Sequence, residues 1–295
     1  MTGWTAADLP DQRGRTVVVT GATSGLGALA TRVLAAAGAT VVMACRDVDK
    51  ARAVAAGVAG STEVRRLDLG DLSSVRAFAA GLDRDVDVLI NNAGVMGVPR
   101  DTTADGFEAH LGVNHLGPFA LTGLLAGRVR DRVVTVSSGL HVLGRIHDDL
   151  HWERRRYRRW PAYAQSKLAN LLFAYELQRR LAAAGRRTAS VAAHPGVAAT
   201  EGQRRDTSFQ GRLLAGGPAQ RPELGVLPIL YAATAPDVRG GDCIGPDGFL
   251  QRRGHPVVVG TSRRSRDAGR AAWLWERSEE LTGVRYATEP GGAAP

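Results

Sequence analysis

The hydrophobic positions of this chain alternate between two periods. Residues 15–20 (RTVVVT) form a short β-branched run stopped by glycine, the mark of a buried strand. Residues 26–37 read as a helix closed by Gly38. A second strand follows at 40–44 (TVVMA), and Asp47 can cap a helix running to about Val58. The same reading predicts strands at 63–67, 86–91, 132–137 and 188–194. It predicts helices at 72–82, 103–125 and 161–184. The strands are continuous apolar runs and the helices fall between them, so the expected fold is α/β, a doubly wound parallel sheet flanked by helices. No repeat or low-complexity linker divides it, and a single domain over 1–295 is expected, with its core at about 14–262. Trp273, Leu274, Trp275 and Leu281 recur at helical spacing and predict a helical C-terminal extension at about 263–283.

Composition narrows the classes. A hydrophobic fraction of 44% and a charged fraction of 23% are those of a globular protein. No stretch approaches the roughly 18 apolar residues of a membrane span, and the start MTGWTAADLPDQRGR carries no secretory pattern. Only Cys45 and Cys243 occur, which fits a reducing compartment and a cytoplasmic location. The net charge of +9 raises nucleic acid as a partner. Yet the cationic residues are almost all arginine and are scattered, apart from Arg154, Arg155, Arg156, Arg158 and Arg159. This is a compositional bias, and neither nucleic acid nor membrane is the expected partner. In a chain with two lysines and four asparagines, those that remain invite a reason.

Chemistry enters where a parallel sheet binds ligands, at the carboxyl ends of its strands. TGATSGLG (20–27) follows the first strand and opens the first helix. Gly21 permits the tight turn, Gly25 lets backbone approach a pyrophosphate, and Gly27 allows close packing of helix on strand. The bland alternative is a glycine-rich turn that binds nothing, and the strand-then-helix context speaks against it. Tyr163 and Lys167 stand four apart on one helix face, continued by Asn170 and Ala174. An ammonium beside a phenol favours the phenolate and would make Tyr163 a general acid and base. A tyrosine packed under a surface lysine is the plain alternative, weakened because Lys167 is one of only two lysines. At the end of the second strand, where NAD-specific sites place a carboxylate, stand Cys45 and Arg46. A guanidinium there suits a 2′-phosphate, so NADP(H) is expected, with NAD(H) the alternative. Asp47 is explained as a helix cap.

Taken together, TGATSGLG, NNAG (91–94), Asn114, VSS (136–138) and YAQSK (163–167) resemble the short-chain dehydrogenase/reductase family. Order and spacing match over about 14–283, including the 25 residues from Ser138 to Tyr163. The TGxxxGxG pattern resembles the single-domain subfamily with a Rossmann-type fold. VVMACRDVDKA, GVNHLGPFALTGLL, YAQSKLANLLFAYELQRRL, HPGVAAT and LWERSEELTGV are similar to its retinol-dehydrogenase-like and WW-domain-oxidoreductase-like branch.

The resemblance implies roles. Tyr163 would exchange a proton with the substrate oxygen, and Lys167 would lower its pKa and bind the nicotinamide ribose. Ser138, the second of the adjacent serines, would polarise the carbonyl. Asn114 would hold a water linking Lys167 to solvent, its amide orienting that water through donor and acceptor atoms. Asn91 and Asp68 resemble residues that contact the adenosine half, although a strand-end turn also explains Asn91 and Asn92. Thr23, Ser24, Leu26, Leu69, Ala93, Gly94, Pro195, Gly196, Val197 and Thr200 complete the implied cofactor site. The implied substrate is a carbonyl or alcohol, a medium-sized hydrophobic molecule. Homodimers or homotetramers paired through 103–125 and 161–184 are implied, although the C-terminal extension could cover the domain's own surface instead. The membrane anchor common in that branch has no counterpart at this N-terminus. Residues 201–220 read as a mobile lid or as a plain surface loop. His141, His147, Asp148, Asp149 and His151 border the pocket, and no metal is expected of them. A silent nucleotide-binding protein, or an atypical tailoring enzyme of the same fold, remains as the alternative.

Overall fold

A computed structural model describes residues 3–197 and 220–286. Its strands β1 (Thr16–Thr20), β2 (Thr40–Cys45), β3 (Ser61–Arg66), β4 (Val86–Asn91), β5 (Val129–Val136), β6 (Ala189–Ala193), β7 (Cys243–Pro246) and β8 (Pro256–Val258) form one sheet. The order is β3-β2-β1-β4-β5-β6-β7-β8, parallel except for the antiparallel edge strand β8. Helices α1 (Gly25–Ala36), α2 (Val48–Ala55) and α3 (Leu72–Gly81) connect the first four strands. The crossover from β3 to β4 passes β2 and β1, so the direction of winding reverses between β1 and β4. That reversal opens a crevice at the carboxyl ends of the two strands.

Both faces of the sheet are buried, which explains the uninterrupted apolar runs. Val17, Val19, Val41 and Met43 meet α1, while the alternate residues Val18, Val42 and Leu89 face α3 and the later helices. On that second face lie α5 (Gly117–Leu125) and α6 (Arg159–Ala183).

The predicted helix at 103–125 is shorter and irregular. Gly106 takes φ +82°, and the Thr103 N–H donates to the Phe107 carbonyl at 2.8 Å, which makes a turn of 103–108. Glu108 then caps α4 (Ala109–Leu111) by accepting the N–H groups of His110 (3.0 Å) and Leu111 (2.8 Å). A π turn (Gly112–Leu116) joins α4 to α5. Periodicity could not show this, because an inserted residue leaves the run apolar.

Beyond β6, α7 (Pro222–Gly225) and α8 (Leu227–Thr234) pack under the sheet, and α9 (Ala268–Thr282) lies across α5 and α6. Trp275 of α9 is 2% exposed, wedged against Phe119 (centroids 5.1 Å) and Phe173 (5.9 Å), with the Arg180 guanidinium 4.5 Å from its ring. The chain therefore covers its own α5–α6 face, the one the resemblance offered for pairing. Among the described residues, no helix is long and apolar enough to cross a membrane.

Candidate active site

The crevice between β1 and β4 opens into a groove of about 1500 Å³ that runs from the glycine turn to Tyr163. This exceeds the roughly 300–1,000 Å³ of an ordinary small-ligand pocket and has room for a dinucleotide beside a substrate. Its floor is locked by Thr20, whose hydroxyl accepts the N–H groups of Asn92 and Ala93, each at 3.0 Å. Asn92 returns an amide hydrogen bond to the Thr20 carbonyl at 2.9 Å.

The glycines fit the roles read from the motif. Gly21 turns at φ +69° and Gly25 at φ +53°. A Cβ on Gly27 would lie 2.3 Å from the Gly21 carbonyl oxygen, so only glycine lets α1 approach this closely. Ser24 places no side chain on the first turn of α1, whose N–H groups and positive dipole end are left facing the groove. At the far side, Arg46 is exposed on the groove wall and makes no ion pair or hydrogen bond with a described residue. Asp47 accepts the Lys50 N–H at 2.9 Å and caps α2. These donors and this cation fit a phosphorylated dinucleotide.

Two asparagines have side-chain amides engaged within the protein. Asn91 is buried with its amide on the Thr122 hydroxyl at 3.0 Å, turned under α5 and away from the groove; Asn92 lines the groove instead. Asn114 sits in the π turn, 1% exposed. Its Oδ1 accepts the Val95 N–H at 2.7 Å, while its Nδ2 donates to the Val95 carbonyl and the Ser166 hydroxyl, each at 2.9 Å. Both amide hydrogens are taken, so the side chain clamps the β4–α4 loop to α6. Asn114 and Lys167 both crowd Gly94, where a Cβ would lie 2.9 Å from Asn114 Oδ1 and 3.5 Å from Lys167 Nζ.

The chemistry converges at the other end. Ser137 and Ser138 follow β5 directly and have different tasks. The Ser137 hydroxyl is buried and donates to the Lys167 carbonyl at 2.8 Å, whereas Ser138 faces the groove, where its Oγ accepts the Leu140 N–H at 3.3 Å and its hydroxyl meets that of Tyr163. Lys167 donates from Nζ to the Val136 carbonyl at 3.1 Å, a carbonyl it shares with Asn170 (3.0 Å). Tyr163 and Lys167 are both buried, with Nζ 5.8 Å from the phenol ring centroid.

Burial pushes the Tyr163 hydroxyl up to about 12, against the Ser138 hydrogen bond that favours its anion. Burial also pushes Lys167 down to about 8. Burial is thus the largest influence on both groups, and it opposes the lowering of the tyrosine expected from the ammonium.

The groove also gathers Gly21, Thr23, Ser24, Gly25, Leu26, Gly27, Asp68, Leu69, Ala93, Gly94, Pro195, Gly196 and Val197. Asp68 Oδ1 turns back to its own loop, accepting the Gly70 N–H at 2.9 Å. Thr200 and residues 201–219 of the expected lid lie outside the described residues. Gln220, expected as the end of that lid, is instead buried and pinned, donating to the Pro195 carbonyl at 2.7 Å and accepting the Gly254 N–H at 3.1 Å. One wall was not foreseen: Leu250, Gln251, Arg252, Thr261 and Ser262 close the groove from the turns around β8. Within the insertion, Asp149 accepts the N–H groups of Glu153, Arg154 and Arg155, and His151 accepts that of Glu108. Among the described residues, no cluster of three or more such side chains is placed to hold a metal.

Residues 15–211 match the short chain dehydrogenase family, and the chain belongs to it. It falls in the retinol-dehydrogenase-like branch. Retinol dehydrogenase 13 of Homo sapiens is 41% identical over 294 residues, covering 92% of this chain and 85% of the relative. A crystal structure of an uncharacterized protein from Mycobacterium Paratuberculosis is 53% identical, with TM-score 0.86 over 97% of this chain and 99% of that one. An NAD(P) dependent gluconate 5-dehydrogenase from Beutenbergia cavernae, solved with NADP bound at low occupancy, is 29% identical, with TM-score 0.61 over 79% of this chain and 96% of that one.

Proposed function

We propose that this oxidoreductase uses NADP(H) to interconvert a carbonyl and an alcohol in an apolar small molecule. One observation carries the reading: Ser138, Tyr163 and Lys167 face one end of a groove whose other end is a glycine turn and a helix N-terminus. A nicotinamide dinucleotide bound along that groove supplies or takes up the hydride. Around it, each side chain has a task its environment supports. The Ser138 hydroxyl donates to the carbonyl oxygen and stabilises the charge that grows there. Tyr163, which holds its proton at neutral pH, passes it to that oxygen as the carbon receives hydride. Lys167 is charged below about pH 8 and stabilises the phenolate left behind. The balance is one hydride to carbon and one proton to oxygen, with the carbonyl reduced and the nicotinamide oxidised.

The exposed Arg46, with Lys50 lining the same end, supports NADP(H) over NAD(H), as does the NADP in the gluconate 5-dehydrogenase relative. Val95, Met96, Val98, Pro99 and Trp160 give the substrate end an apolar lining, and a retinol dehydrogenase among the relatives speaks for an alcohol or its carbonyl counterpart. The test is NADPH consumption across a panel of aldehydes and ketones, beside Tyr163→Phe. Wild-type turnover that falls by about 10²–10⁴-fold in the variant supports the reading. NADPH binding without turnover on any carbonyl points to a silent binding protein.

A further inference from the structure

The ring of His141 touches the Ser138 turn on one side and the unforeseen wall of the groove on the other. It belongs to the 3-10 turn Gly139–Leu143 that Ser138 caps, and it is 4% exposed. Its Nδ1 lies 2.8 Å from the Ser138 carbonyl, which also accepts the His141 backbone N–H at 3.0 Å. Its Nε2 lies 3.3 Å from the backbone N of Ser262.

These two neighbours fix the proton. A carbonyl only accepts and a backbone N–H only donates, so Nδ1 carries the hydrogen and Nε2 presents its lone pair. A charged ring would turn an N–H toward the Ser262 N–H. Burial also disfavours the charged ring, and this outweighs the Ser138 carbonyl, which favours it. The wall itself is anchored: the Ser265 hydroxyl donates to the Ser262 carbonyl at 2.7 Å, its oxygen lies 3.0 Å from Thr261 Oγ1, and Thr261 Oγ1 lies 2.9 Å from the Tyr175 hydroxyl on α6.

We propose that neutral His141 is a positioning residue that holds the Ser138 carbonyl, braces the turn against Ser262, and so aims the Ser138 hydroxyl at the substrate oxygen. The proposal rests on Ser138 acting as the carbonyl-polarising donor. It goes further by naming what holds the turn that carries this donor, whose Oγ accepts the Leu140 N–H at 3.3 Å and meets the Tyr163 hydroxyl. A misplacement of about 1 Å can cost on the order of 10²-fold in rate.

Three variants separate positioning from bulk stability. Asparagine can reproduce the Nδ1 donor toward Ser138, glutamine can reach Ser262 with an acceptor, and alanine does neither. In His141→Ala, kcat for carbonyl reduction is expected to fall by about 10–100-fold while NADPH binding changes by less than about twofold. His141→Asn is expected to return to within about threefold of wild type, and His141→Gln to stay near alanine. Wild-type kcat in all three variants, or losses that track NADPH affinity and thermal midpoint, would overturn the proposal. Nitrogen-15 NMR of histidine-labelled protein, assigned by the signal lost in His141→Asn, reads the proton directly. The expected pattern is a protonated Nδ1 and a bare Nε2 between pH 6 and 8, and a protonated Nε2 overturns the proposal. A wild type that turns over no carbonyl removes the reading of Ser138 and the positioning role with it. That outcome is distinct from an active wild type with unaffected variants.

Discussion

Arg46 and Asp47 are neighbours at the carboxyl end of β2, and the cap on α2 takes one and leaves the other. Asp47 accepts the Lys50 N–H at 2.9 Å, while the Arg46 guanidinium stands exposed on the groove wall. A carboxylate engaged in a cap is a poorer acceptor for ribose hydroxyls, and a cation with no anionic partner among the described residues is suited to a 2′-phosphate. Arg46→Ala should therefore weaken NADPH binding by about 1.5–3 kcal/mol, roughly 10–100-fold, and NADH by much less. Fluorescence titration with each cofactor measures both. Equal losses would remove the argument for NADP(H).

The adjacent serines should separate chemistry from packing. Ser138→Ala removes a donor aimed into the groove, and kcat should fall by about 10²–10³-fold with little change in thermal midpoint. Ser137→Ala leaves the buried Lys167 carbonyl without its 2.8 Å partner, at about 1–3 kcal/mol of stability. Paired melting curves and kcat values decide it. If Ser137→Ala were the catalytically dead variant, the assignment would be reversed.

Much of this site was legible because its residues sit where the backbone dictates direction. The glycine turn, the strand-end serines and the four-residue step from Tyr163 to Lys167 follow from strand and helix geometry, and all line one groove. The side-chain partners of Asn91 and Asn114 were not legible in the sequence. A strand side chain faces one side or the other, and Asn91 faces α5, where Thr122 waits. Asn114 lies in a π turn that no periodicity reveals, and its amide meets the Val95 backbone. The wall at Leu250, Thr261 and Ser262 comes from short irregular turns brought in by tertiary packing alone. The burial that raises Tyr163 is likewise a property of the assembled fold.

Lys167 sets a pH limit on the reaction. Burial holds it near 8, so its charge is present below that pH and lost as pH rises through it. Tyr163 keeps its proton over the same range. Carbonyl reduction should accordingly be level from about pH 6 to 7.5 and decline above about 8, as the ammonium that stabilises the departing phenolate disappears. The pH profile of kcat, beside Lys167→Arg, tests this. Arginine stays charged, so any activity that variant retains should lack the alkaline decline. A wild-type profile that stays flat to pH 10 would show that the lysine charge is not needed.

Stability should respond to acid through His115, which the reaction does not use. Its ring is 1% exposed among Phe119 and Phe173, Nε2 lies 2.9 Å from the Ser278 hydroxyl, and burial pushes its pKa down to about 3. The unfolded chain binds a proton here near pH 6.5, while the folded chain stays neutral. Stability is therefore lost as pH falls from about 6.5 toward 3, and the loss from this ring alone is about 2 kcal/mol at pH 5. His115→Phe keeps the ring shape, and Ser278 keeps its 2.7 Å hydrogen bond to the Leu274 carbonyl. The variant should therefore lose less stability between pH 7 and pH 5 than wild type, whatever its stability at pH 7. Denaturant unfolding at the two pH values gives that difference. The same decline in both proteins would place the acid sensitivity elsewhere, with His194, held near 4 by burial, the next ring to replace.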